Sequence, residues 1–228
     1  MAAPIPTLDL AALAWFAIAL VGYQVLADYG PVSGRAIAWA MQHQRVAWML
    51  NMSRRDNRTV DAILLGGLSH GNAFFASTSA IAIGGLSAIL ASGDKAQALL
   101  ERIPYVAKSP AYLWEIKVIL LMAVFVYAFF KFAWAFRLSH YTAIMIGATP
   151  LDDEPDEAAR RDHAERTAEL LGIAAEHANR GLRSYYYAFA TMAWFFHPVL
   201  FIAATTWVVA ILARRDFFSR SRNIVAGR

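Results

Sequence analysis

Residues 61–91 read DAILLGGLSHGNAFFASTSAIAIGGLSAILA, an apolar stretch with one unusual face. Every third or fourth residue from Gly66 gives His70, Ala73, Ser77, Ala80, Gly84, Ser87 and Ala91, which the helical repeat sets in one line. Small and polar side chains in a stripe bury little apolar area, so the stripe makes a poor core in water. In lipid it makes a good seam, because helices associate there through close backbone approach rather than a hydrophobic drive. At about 1.5 Å per residue, a helix over 60–91 is about 48 Å long, against a hydrocarbon layer of about 30 Å. It must tilt, bend at a glycine pair or project beyond the membrane.

Three more stretches of membrane length lie at 8–27, 112–136 and 185–213. Charged residues make up 17% of the chain, against about 25% in soluble domains. No strand alternation, internal repeat or Gly/Ser-rich linker interrupts the pattern. The expected fold is therefore all-α: an integral membrane four-helix bundle, a single domain over 1–228. The stretch at 8–27 is read as a membrane helix, because residues 1–9 hold no Lys or Arg and its apolar run exceeds that of a signal peptide.

The connections carry their own signals. Gly30, Pro31 and Gly34 break the chain after the first span, and Trp39 and Trp48 place the next segment at the membrane interface. Lys117 and Lys131 bracket the third span and are expected to snorkel outward, with Glu115 solvated near the interface. Residues 155–184 read as a water-soluble helix. It opens with Pro155 and carries the i,i+4 pairs Glu157–Arg161, Asp162–Arg166 and Glu176–Arg180. Its apolar stripe, Ala164, Ala168, Leu171, Ala175, Ala178 and Leu182, calls for a close helical partner in the same chain or a neighbouring subunit. The long helices thus extend into a cytoplasmic helical region. In the last span Pro198 removes one amide donor, and a kink is expected there.

The net charge is +4, with basic residues gathered at the ends of apolar segments. That is the pattern of membrane anchoring, not of a nucleic-acid surface. Arg35, Arg45, Arg54, Arg55 and Arg58 fall on one side with Arg137, Arg160, Arg161, Arg166, Arg180 and Arg183, which makes that side cytoplasmic. Four simple spans then leave both termini outside, including Arg214, Arg215, Arg220, Arg222 and Arg228. The expectation follows the first helix, and the tail stands against it.

The pieces RRDNRTVDAILLGGLSHGNAFFASTSAIAIGGLSAIL (54–90), HANRGLRSYYYAFATMAWFFHPVLF (177–201) and FFKFAWAFRLSHY (129–141) resemble a bacterial membrane-protein family. It is the domain of unknown function numbered five hundred ninety-nine. The resemblance implies a four-helix protein of the bacterial inner membrane and supplies no activity, cofactor or catalytic residue.

No cysteine is present, and no HExxH, GxSxG, Walker loop or zinc-ligand spacing occurs. No catalytic residue and no metal ligand is therefore proposed. Membrane lipids and further copies of the chain are the expected partners. The leading expectation is a homo-oligomer with a non-enzymatic pore, transport or membrane-organising role. Gly66, His70, Ala73, Ser77, Ala80 and Gly84 would line or pack its central interface. The alternative is a redox subunit holding haem b between His70 and His197, two histidines at comparable depth. Arg180, Arg183 and Tyr185 are candidates for binding lipid phosphates or other anions where the soluble helix enters lipid.

Overall fold

The computed structural model describes residues 5–30, 34, 36–102, 109–150 and 156–227. Pro31, Arg35, Pro155 and Arg228 lie outside them. The described residues form helices and turns and no strand. In order these are α1 (Thr7–Asp28), α2 (Ile37–Ser53), α3 (Thr59–Ala91), α4 (Asp94–Leu100), α5 (Ala111–Gly147), α6 (Glu157–Met192), α7 (Pro198–Phe217) and α8 (Arg220–Val225). A 3-10 turn, Ala193–Phe195, joins α6 to α7. Four helices are long and apolar enough to cross a membrane: α1, α3, α5 and the stretch Pro198–Val225. The chain divides into two compact units.

The first unit contains α1, the later part of α3, α4, the first part of α5, the end of α6 and nearly all of α7. One continuous helix was expected over 185–213, and here the structure differs. The end of α6 runs antiparallel to α1: Arg183 reaches Asp28, Tyr187 donates to Ala19 O at 3.0 Å, and Trp194 donates to Asp9 Oδ1 at 2.7 Å. The chain then turns back. Phe201 packs on both Trp194 and Phe16, with ring centroids 5.1 Å apart in each case. Trp15 donates to Thr206 at 3.1 Å, and Arg215 lies over the Tyr186 ring at 5.7 Å. In one straight helix Tyr186 and Arg215 would be about 43 Å apart. The two segments are therefore an antiparallel hairpin.

Pro198 begins a helix here rather than kinking one. It occupies the first helical position, where the missing N–H would have had no intrahelical partner. His197 precedes it as the cap: its carbonyl accepts from Phe201 N, and its Nδ1 accepts from Val199 N at 3.1 Å.

The second unit contains α2, the first part of α3, the later part of α5, most of α6 and α8. Its core is Met49, Met52, Leu65, Ile146, Ala164, Ala168 and Leu171. The alanine stripe of α6 thus finds partners within its own chain. Small side chains let α2 come close: Gln42 Nε2 donates to Ala168 O at 3.0 Å. A Cβ on Gly172 would meet Gln42 Oε1 at 2.3 Å, so a side chain there would displace the end of Gln42. Trp48 donates to Asp61 Oδ1 at 2.7 Å. Arg55 reaches the same fully buried carboxylate at 3.2 Å. Arg58 donates to the carbonyls of Thr149 and Pro150, at 2.7 and 2.9 Å, just beyond the C-terminal end of α5.

Candidate functional site

The small-residue stripe of α3 lies beside, not on, the face that packs within the chain. The buried residues of α3 are Asp61, Leu65, Ser69, Ser79 and Leu86. The stripe is displaced from them by about a quarter of a turn. Along it His70, Ser77, Ala80, Gly84, Ser87 and Ala91 are exposed, and Gly66 and Ala73 are half-buried. A Cβ added at Gly66 or Gly84 would have no neighbour within 4 Å. The bulky Ile63, Phe74 and Ile81 occupy the next face round and are 66–76% exposed. Only 6% of the apolar window of α3 is buried, against 28%, 33% and 28% for the other three.

Two buried charged clusters fix the ends of α1, and the sequence pointed to neither. At one end Asp9, 6% exposed, accepts from Trp194. Lys117, expected to snorkel, is 1% exposed. Its ammonium donates to Ser109 Oγ at 3.0 Å, lies 5.6 Å from the Trp194 ring and is attracted by Asp9. Those partners compensate the lysine within the protein, so its stem does not turn outward. At the other end Arg183 donates to Asp28 Oδ1 at 2.7 Å and lies over the Tyr23 ring at 5.4 Å.

The residues proposed as anion ligands are engaged inside the chain. Arg183 is 3% exposed, Arg180 pairs with Glu176 one turn earlier, and Tyr185 shares a 3.0 Å hydrogen bond with Ser79. The i,i+4 spacing pointed to the Glu176 partner of Arg180, but nothing along α6 pointed to Asp28 on α1 or Ser79 on α3. Glu115 is exposed, as expected of a solvated glutamate.

His70 belongs to the second unit and His197 to the first, and both are exposed. His197 spends Nδ1 on capping α7. Among the described residues no group of three or more His, Cys, Asp or Glu is arranged to hold a metal ion.

Helices long and apolar enough to cross a membrane, a buried ion pair at one end of α1 and an exposed small-residue face suggest an all-helical membrane protein. The family model described as "Protein of unknown function, DUF599" matches residues 11–221, and the chain belongs to that family. Comparisons with curated proteins and with solved structures returned no match.

Proposed function

We propose that the chain works as a homo-oligomer of the bacterial inner membrane, in a non-enzymatic conducting or membrane-organising role with α3 at the central interface. The observation that carries this reading is the exposed stripe from Gly66 to Ala91. It combines close backbone access with His70 and Ser77, polar groups that are costly to leave against lipid. A second copy or a water-filled path satisfies both requirements. The absence of native cysteine makes the test direct. Single-cysteine variants Ser77→Cys and Ile81→Cys are oxidised in native membranes. Cross-linking at Ser77 and none at Ile81 is the expected result; the reverse pattern overturns the interface. Ion flux in liposomes, lost in Ser77→Leu, separates the conducting role from the organising one.

The hairpin supports an orientation different from two external termini. Arg215 and Tyr186 lie at the same end of the first unit as Arg183 and Asp28. In this reading the basic tail is cytoplasmic with the arginines of 45–58 and 137–183, as the positive-inside rule favours, and Lys95, Arg102 and Lys108 of the 92–111 link stay on the other side. In this reading the N-terminus is periplasmic, the C-terminus is cytoplasmic, and the end of α6 supplies an additional crossing.

A further inference from the structure

A pocket of about 410 Å³ lies between the start of α2 and the C-terminal segment, wholly within the second unit. That volume falls in the range of about 300–1,000 Å³ typical of small-molecule sites. Its walls include Ala36, Ala40, Ile224 and Val225, with Arg222 and His43 also lining it and no Asp or Glu side chain among the described lining residues. Trp39, also on the pocket, is 55% exposed and packs on the His43 ring at 4.1 Å. His43 donates from Nδ1 to Trp39 O at 3.1 Å, and that bond does not use its second ring nitrogen.

The surroundings say which ligand suits such a lining. The segment begins where the apolar helix α7 ends in Arg214 and Arg215, the position at which basic residues meet headgroups. Arg220, Arg222 and Arg228 follow, and the one acidic residue among them, Asp216, is buried. Phe218 and Ile224 are 79% and 68% exposed. A free phosphate would engage the arginine and histidine but leave the apolar walls and these exposed side chains unused. A lipid uses both.

We propose that this pocket binds an anionic phospholipid, with the phosphate on Arg222 and His43 and the upper acyl chain along Trp39, Ala40 and Ile224. The site is separate from α3, so it stands or falls independently of the oligomer. Each arginine near an anionic surface is worth roughly a five-fold change in binding.

The test uses the purified full-length protein in vesicles of phosphatidylcholine doped with brominated phosphatidylglycerol or brominated phosphatidylcholine. Trp39 emission is isolated as the difference between the parent and Trp39→Phe. The expected result is several-fold stronger quenching by the anionic brominated lipid. That excess is lost in Arg222→Gln, partly restored in Arg222→Lys and retained in Arg54→Gln. Equal quenching by both lipids, or an excess unchanged in Arg222→Gln, overturns the proposal. So does displacement of the excess by inorganic phosphate, which would make the free ion the ligand.

Discussion

Arg183 and Asp28, 155 residues apart in sequence, meet as an ion pair of 2.7 Å with 4% and 9% of their side chains exposed. Removing one partner from such a pair leaves the other charge buried, which costs about 3–5 kcal/mol. Arg183→Met should therefore lower the thermal unfolding midpoint in detergent sharply. Adding Asp28→Asn should recover much of the loss, because the orphaned charge disappears. Additive losses in the double variant would show that the two residues act separately.

Two glycines of similar appearance should respond in opposite ways. A Cβ at Gly181 would come within 2.7 Å of the Phe132 ring, which is 1% exposed and stacked on Phe75. Gly181→Ala should cost about 1–3 kcal/mol by overpacking. Gly84 has open space, so Gly84→Ala should leave the folded chain as stable or gain about 0.8–1 kcal/mol from helix propensity. The same methyl group stands on the proposed seam and should weaken the oligomer. Chemical unfolding paired with light scattering distinguishes the two effects.

His177 should make the second unit sensitive to acid. Its Nδ1 is buried with no hydrogen-bond partner among the described residues. Burial, then the charges of Lys131 and Arg180, hold its pKa below the ordinary 6.5. The folded state thus prefers the neutral ring. As pH falls from about 6.5 towards the lower folded value, the unfolded chain takes up a proton first and stability declines; above that window its contribution is complete. Unfolding curves across this range should flatten in His177→Gln. An unchanged slope would assign the pH dependence to other groups.

The orientation is checked by reporter fusions. Reporters at residue 156 and at the C-terminus should score as cytoplasmic, and one at the N-terminus as periplasmic. A periplasmic C-terminus would mean that α7 does not return across the membrane beside α1.

The elements themselves were readable from local patterns. Apolar length gave α1, α3 and α5, and the alanine spacing of α6 announced a packing face that Met49, Met52, Leu65 and Ile146 cover. Pairings between distant residues were not readable. Nothing near Lys117 in sequence predicts that Trp194 and Asp9 will surround it, so snorkelling was the natural expectation for a lysine at the edge of an apolar run. Pro198 was ambiguous for a different reason. Proline suits both a kink in a helix and the first position of a new one, and the apolar pattern continues on either side. Contacts from Phe16 and Trp15 on α1, invisible to periodicity, select the second outcome. The exposed face of α3 was legible as a stripe, but not its place beside the intrachain contact.

The turn between α6 and α7 also bears on how the chain enters a bilayer. Residues 193–198, Ala-Trp-Phe-Phe-His-Pro, contain no Lys, Arg, Asp or Glu. Each charge carried through the membrane centre costs about 2.5–3.5 kcal/mol on insertion scales. A hairpin led by this apex can pass into the bilayer as a preformed pair, with its arginines left at the entry side. In the proposed orientation, biogenesis of the last two segments needs no polar loop to be translocated, and the arginines at the entry side would act as the brake that stops insertion.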